Sequence, residues 1–247
     1  MSRPVCLITG VGPGTGSALV RRFARDYDVA MLARNESRLA ALAAEVPGAR
    51  AFVCDVADEA VFTLTLETVR VQMGAPSVTV HNAVGGAFGH FLEIDPAVLQ
   101  RNFQINTMAL LQLGRAVAPA MIERGSGHIA IVASVAGYRG LPRSLAYGPT
   151  KAALINLTET LYLDLAPRGI GVYLINPGFV KTPLTDRNTF KMPALISADE
   201  AAQEIMAGFA RGSFEIHFPR RFTLWLKLLR LLPYRWYFAL VHKGTGL

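Results

Sequence analysis

Four glycines in eight residues, Thr9-Gly10-Val11-Gly12-Pro13-Gly14-Thr15-Gly16, stand between a short apolar run and a helical pattern and restrict this chain more than any other feature. Val5–Thr9 reads as a strand and Gly16–Arg25 as a helix. Glycines here let the backbone turn sharply and approach another group closely, and the helix amides behind Gly16 then point at whatever lies in front of them. A glycine-rich turn placed between strand and helix is the context that binding of a dinucleotide pyrophosphate requires, which makes Gly10, Gly14, Thr15 and Gly16 candidate contacts.

The same alternation continues along the chain. Strand-like runs are expected at Val29–Ala33, Ala51–Cys54, Val78–Asn82, His128–Ala133, Gly171–Asn176 and Phe214–Phe218. Helical patterns are expected at Glu36–Glu45, Asp58–Met73, Pro96–Glu123, Pro149–Ala166 and Ala198–Arg211, the last opened by a Ser197/Glu200 capping box. Strands alternating with helices imply parallel pairing through right-handed crossovers. The expected fold is therefore α/β, a doubly wound, mainly parallel sheet of about seven strands with helices on both faces. With 247 residues, 51% of them apolar and 17% charged, and no linker or repeat, the chain has one core. Residues 1–218 are expected to form it, and 219–247 a basic, apolar helical extension of the same domain.

The net charge of +7 raises a nucleic-acid reading, but its distribution argues against one. Six basic residues and no acidic one lie beyond Glu215, leaving a balance of +1 upstream, and no reader motif accompanies them. No nucleic-acid partner is expected. Cys6 and Cys54 sit in strand-like runs without metal-ligand spacing, which suggests buried reduced thiols, no metal and a cytoplasmic protein. The chain enters a strand almost at once, so no signal peptide is expected, and no 18-residue apolar stretch suggests a membrane span.

Ligands of doubly wound sheets bind beyond the C-terminal strand ends. After the second strand the chain reads Ala33-Arg34-Asn35, where an NAD-binding site would carry a carboxylate for the ribose. Arg34 can instead pair with the 2′-phosphate of NADP, with Arg38 one turn later. Tyr147 and Lys151 are four apart, on one helical face, and Ser134 follows the fifth strand. A tyrosine ionises near ~10, a neighbouring ammonium favours its phenolate, and a serine hydroxyl can orient a substrate oxygen.

Taken together, these residues resemble the short-chain dehydrogenase/reductase family over about Pro4–Phe218. The glycine turn is Thr9–Gly16, and His81-Asn82-Ala83-Val84 matches the asparagine-rich element. Asn106 matches the helical asparagine, Ser134, Tyr147 and Lys151 have the family spacing, and Asn176–Thr182 carries the Pro-Gly motif. The resemblance implies a Rossmann-type fold and NADP(H)-dependent hydride transfer between cofactor and a carbonyl or alcohol. It implies Tyr147 as the proton-transferring group, Lys151 on the nicotinamide ribose, Ser134 on the carbonyl oxygen and Asn106 in a water-linked proton path. For the cofactor it implies Asp55 and Val56 near the adenine, and Asn82, Pro177, Gly178, Val180 and Thr182 along the nicotinamide side. It also implies a homodimer or homotetramer.

In two places the sequence departs from the pattern. Val84 stands where a glycine is usual, so that role passes to Gly85 or the nicotinamide wall shifts. His81 replaces an asparagine and reads as a hydrogen-bonded core residue. Substrate candidates Gly86, Phe88, Tyr138, Leu141, Phe179 and Leu184 are mostly apolar, which favours a hydrophobic ketone, aldehyde or secondary alcohol. In 219–243, Arg220, Thr223, Lys227 and Arg230 fall on one helical stripe amid apolar residues, and Pro233 separates a second piece. Two readings stand: a lid or subunit contact, or an in-plane membrane helix. A cofactor-binding protein without turnover is the remaining functional rival, opposed by the intact Asn106, Ser134, Tyr147 and Lys151 set.

Overall fold

The computed structural model describes residues 3–188 and 192–246. Seven strands form one sheet: β1 (Val5–Thr9), β2 (Asp28–Ala33), β3 (Ala49–Val53), β4 (Val78–His81), β5 (Gly127–Val132), β6 (Ile170–Pro177) and β7 (Glu215–Phe218). Their order is β3-β2-β1-β4-β5-β6-β7, and all six pairings are parallel. The order reverses between β1 and β4, which opens a crevice beyond the strand ends at that point.

The pleat divides the core in two. Cys6, Ile8, Val29 and Met31 face one side, under α1 (Thr15–Phe23), α2 (Glu36–Glu45) and α7 (Ala198–Ala210). Leu7, Ala30 and Leu32 face the other, under α3 (Glu59–Met73), α5 (Ala109–Arg124) and α6 (Gly148–Leu165). Strands covered on both faces have no polar alternation to display, which is why they read as continuous apolar runs. Helix starts follow local chemistry: Asn35, Asp58 and Asp95 each accept an amide hydrogen at an N-terminus, and Ser197 and Glu200 complete their capping box.

The expected Pro96–Glu123 helix is interrupted. It runs as α4 (Pro96–Phe103), passes through a π-helical turn at Gln104–Met108, and resumes as α5. Such a turn widens the helix by a residue and frees backbone groups for other partners. Apolar periodicity does not register it, because the inward-facing residues continue through it.

Beyond β7, α8 (Arg220–Arg230) and α9 (Tyr234–Thr245) meet at Pro233. The middle of the stripe seen in the sequence turns inward, while Arg220 and Arg230 at its ends are exposed. Thr223 is fully buried, with its hydroxyl on the Pro219 and Arg220 carbonyls and on His217 Nδ1, and Lys227 pairs with Glu215. Phe222 and Leu226 pack on the core, while Leu224, Trp225, Leu228 and Leu231 are exposed. Arg139 anchors the junction: Nη1 donates to the carbonyls of Arg230 (3.0 Å) and Leu232 (2.6 Å). Its guanidinium lies 4.5 Å and 4.2 Å from the ring centres of Tyr234 and Tyr237, and Tyr237 Oη donates to Gly140 O at 2.7 Å. A cation at a helix C-terminus is favourable, and the aromatic faces add to it.

Arg139→Ala is expected to loosen 219–246 by about 1.5–3 kcal/mol, the usual range for charge-assisted hydrogen bonds. Limited proteolysis should then cut within α8 or α9 before the sheet. A variant as resistant as the parent chain would mean that Phe222 and Leu226 alone hold the segment.

Candidate active site

The crevice is built by backbone that must come close. Gly10 has φ 71°, and a Cβ there would sit 2.4 Å from Ala83 Cα, so the turns after β1 and β4 touch only because this residue is glycine. Gly14, with φ 135°, is pressed in the same way against Thr182, whose Cγ2 would lie 2.8 Å from an added Cβ. This contact brings the glycine turn and the Pro-Gly segment together. An added Cβ at Gly12, by contrast, would meet nothing within 4 Å. Helix α1 begins with no side-chain cap and no acidic residue in its first turn. Its amides and dipole therefore face open space, the arrangement that receives a pyrophosphate. The cradle fits a dinucleotide.

A buried polar network locks the strand ends. Thr9 Oγ1 accepts the amides of Asn82 and Ala83, each at 3.2 Å, and hydrogen-bonds His81 Nδ1 at 3.1 Å. His81 Nε2 reaches the carbonyl of Asn106 at 3.1 Å, inside the π-helical turn. This pattern requires a neutral ring that donates through Nε2 and accepts at Nδ1. Burial first, and the Lys151 charge second, push the His81 pKa down to about 4, which is consistent with that tautomer. Asn106 Oδ1 accepts Gly85 N at 2.8 Å, while Nδ2 donates to Gly85 O at 2.9 Å and to Thr150 Oγ1 at 2.8 Å. Both side-chain hydrogens and the main-chain carbonyl of Asn106 thus already have protein partners.

Asn102 was not singled out from the sequence. Buried one turn before Asn106, it donates to Ala146 O at 2.7 Å and so fixes the residue before Tyr147. Its Oδ1 would lie 2.5 Å from a Cβ on Gly85. Gly85 is therefore the obligatory glycine of this element, packed on α4, while Val84 is exposed. The sequence signal was the i, i+4 pair Asn102/Asn106 on a helix otherwise read for its apolar residues.

Ser134, Tyr147 and Lys151 converge. Ser134 lies just beyond β5 in extended conformation, and its Oγ accepts Ala136 N at 3.1 Å, which leaves the hydroxyl hydrogen free to donate. Tyr147 precedes α6 and hydrogen-bonds Ser134. Lys151 is 2% exposed, with Nζ on Val132 O at 2.8 Å and 5.6 Å from the centre of the Tyr147 ring. Burial pushes the Tyr147 phenol up, opposed by the Ser134 hydrogen bond, and pushes Lys151 down to about 7. Desolvation thus opposes both charges, and Tyr147 stays a phenol, in the proton-donating form.

Other candidates are placed as follows. Arg34 is exposed at the end of β2 without a hydrogen-bond or ion-pair partner among the described residues. Asp55 accepts Ala57 N and the Arg101 guanidinium, at 2.7 Å for the latter, and Val56 is buried. Asn82 Nδ2 donates to Gly10 O at 2.9 Å. Pro177 ends β6, and Gly178 N donates to Phe218 O at 2.7 Å. Thr185 Oγ1 donates to Val180 O and accepts Thr182 N, which holds that turn against Gly14. Among the substrate candidates, Gly86 and Leu184 crowd together beside Tyr147, and the Phe88 ring lies 5.3 Å from its ring. Further along the same loop Phe91 and Leu92 are exposed, and Gly89 N and His90 tie the loop to Arg143. Tyr138 and Phe179 are turned away, Tyr138 onto Glu215 and Phe179 against Phe222. A cavity of about 670 Å³ between α6, β7 and α8 is bordered by Tyr138 and not by Ser134, Tyr147 or Lys151.

A dinucleotide cradle beside a serine, tyrosine and lysine defines a nicotinamide-dependent oxidoreductase. A family profile described as short chain dehydrogenase matches residues 4–192, and the chain belongs to the short-chain dehydrogenase/reductase family. An uncharacterized oxidoreductase of Myxococcus xanthus is 33% identical over 238 residues, covering 94% of each chain. A short-chain dehydrogenase from Sphingobium yanoikuyae in complex with NADPH is 28% identical, with a TM-score of 0.81, covering 98% of this chain and 94% of that one. A short chain dehydrogenase/reductase from Burkholderia phymatum in complex with NAD is 25% identical, with a TM-score of 0.83 and 92% coverage of both.

Lys151 carries a pH signature. Its folded pKa of about 7 lies below the unfolded value near 10.5, so between these limits the unfolded chain holds the extra proton. Stability from this residue therefore rises with pH across the window, by at most about 1.4 kcal/mol per unit, and is flat below it. Urea unfolding of the parent chain and Lys151→Met at several pH values isolates the term as the difference between them. A difference independent of pH between 7 and 10 would show that the ammonium keeps its proton in the fold.

Proposed function

We propose that this chain is an NADP(H)-dependent reductase of a hydrophobic ketone or aldehyde, catalysing oxidation of the matching secondary alcohol in reverse. The observation that carries the reading is the convergence of Ser134, Tyr147 and Lys151 beside the apolar side chains of Phe88 and Leu184. A nicotinamide bound there supplies the hydride for the carbonyl carbon. Tyr147 donates the matching proton to the carbonyl oxygen, and the hydroxyl of Ser134, which hydrogen-bonds Tyr147 in this structure, orients that oxygen. Lys151, held on Val132 O, positions the phenol and faces the nicotinamide ribose. Asn106 acts through Gly85 and Thr150, fixing the floor on which Tyr147 and Lys151 stand.

Arg34 decides the cofactor in this reading. It is an unpaired cation at the position where a carboxylate would select NAD, and the 2′-phosphate supplies its partner. Cys6 and Cys54 are buried free thiols, in keeping with a reducing cytoplasm. Exposed Met108 in the π-helical turn and Leu111 on α5, with Tyr162 and Leu163 on α6, supply apolar surface for a homodimer or homotetramer.

Tyr147→Phe is expected to lower kcat by about 10²–10⁴-fold, the usual weight of general acid catalysis, with cofactor affinity nearly unchanged. Near-parental turnover of a bulky aromatic ketone by this variant would remove Tyr147 from the reaction. Arg34→Ala is expected to weaken NADPH roughly 10–150-fold while sparing NADH, as loss of a charge-assisted phosphate contact requires. Titration by nicotinamide fluorescence measures both, and equal losses would exclude the 2′-phosphate contact.

A further inference from the structure

We propose that the outward face of α8, together with α9, docks the protein on an anionic lipid surface. A surface helix of a water-soluble protein turns its polar stripe to solvent. Here Thr223 is buried and Lys227 is spent on Glu215, while Trp225, Leu224, Leu228 and Leu231 are exposed, the three leucines rimming the groove between α6 and α8. At 100° per residue, Arg220, Leu231, Leu224, Leu228, Arg221 and Trp225 fall in that order within an arc of about 140°. The two arginines therefore sit on the same face as the leucines. Leu231 is 80% exposed, and beyond Pro233 so are Tyr234 (70%) and Trp236 (62%), followed by Phe238 and Leu240. Exposed apolar residues grouped in this way mark an interaction site rather than ordinary surface.

Charge selects the occupant. Arg220, Arg221, Arg230, Arg235 and Lys243 are exposed and have no ion-pair partner among the described residues, and no acidic residue follows Glu215. A second copy using the same face would meet this patch with an identical one, placing like charges opposite each other with no carboxylate from either segment between them. A nucleic acid would neutralise the arginines but leave the leucines and tryptophans in water. An anionic bilayer satisfies both sets: headgroups take the arginines, the acyl boundary takes the leucines, and tryptophan and tyrosine favour the boundary itself. Among the described residues no helix is long and apolar enough to cross a membrane, so the contact lies in the plane of the interface. Arg139, which holds the α8 carbonyls and the Tyr234 and Tyr237 rings, fixes the two helices to the body of the enzyme. The reading does not depend on which carbonyl is reduced.

Co-sedimentation of the full chain tests it, with vesicles of phosphatidylcholine alone and of phosphatidylcholine containing phosphatidylglycerol. The parent chain should pellet with the second and not the first, release as salt screens the surface, and shift its tryptophan emission to the blue on binding. Leu228→Asp/Leu231→Asp should abolish pelleting while leaving NADPH binding intact, which shows that the variant is folded. Arg221→Ala/Arg235→Ala should weaken partitioning roughly 25-fold, about five-fold for each basic residue at an anionic surface. Three results would overturn the proposal: no pelleting with anionic vesicles, equal pelleting with both kinds, or a parent oligomer that Leu228→Asp/Leu231→Asp splits without any vesicle binding.

Discussion

Everything at the catalytic end depends on how the C-terminal edge of the sheet satisfies its polar groups. A parallel strand that stops inside a covered sheet leaves amides and carbonyls that water cannot reach, and each needs a partner. Here Thr9 closes β1 onto the Asn82 and Ala83 amides, His81 carries the chain of bonds to the π-helical turn, and Asn106 passes it to Gly85 and Thr150. The last of these lies between Tyr147 and Lys151 in sequence, so two strand ends, the π-helical turn and one helix start share a single network. Buried networks of this kind strengthen when complete and are costly when broken. The catalytic side chains inherit their rigidity from it.

The electrostatics follow from the same burial. Charge is disfavoured on Tyr147, Lys151 and His81 alike, and desolvation is the largest cause for each. A phenol kept protonated is the form that general acid catalysis in the proposed reduction calls for. Lys151 is held by a backbone carbonyl, which orients the amine without adding a negative charge beside the phenol.

Legibility in the sequence tracked locality. The sheet was readable because each strand is an apolar run bounded by turn residues, and the glycine turn because its residues are contiguous. Ser134, Tyr147 and Lys151 were readable because Tyr147 and Lys151 share one helical face and the family spacing supplied the serine. What escaped was set by contacts between distant segments. The π-helical turn exists because His81, 25 residues earlier, needs a carbonyl, and Asn102 matters because Ala146 lies under it. Tyr138 and Phe179 looked like pocket residues because they follow strand ends, but β7 supplies Tyr138 with Glu215 and α8 supplies Phe179 with Phe222 instead. A strand end nominates a residue for the site; the element that covers it decides.

The C-terminal helices show the same limit in reverse. A helical stripe in the sequence gives the angle between polar and apolar faces but not which of them meets the protein, and the usual assignment assumes water outside. In α8 the decision falls to three residues with specific partners: Thr223 on the carbonyls of the preceding turn, Lys227 on the carboxylate that Tyr138 and Asn176 also hold, and Phe222 over Gly178. Glu215 is half-buried, and its carboxylate is held below the usual range because those three donors outweigh its desolvation. Moving Lys227 outward would strand that charge, and leaving an ion without its partner costs more than exposing a leucine. The orientation of the apolar face thus follows from a half-buried carboxylate on β7. The surface chemistry of the last thirty or so residues is set from inside the sheet.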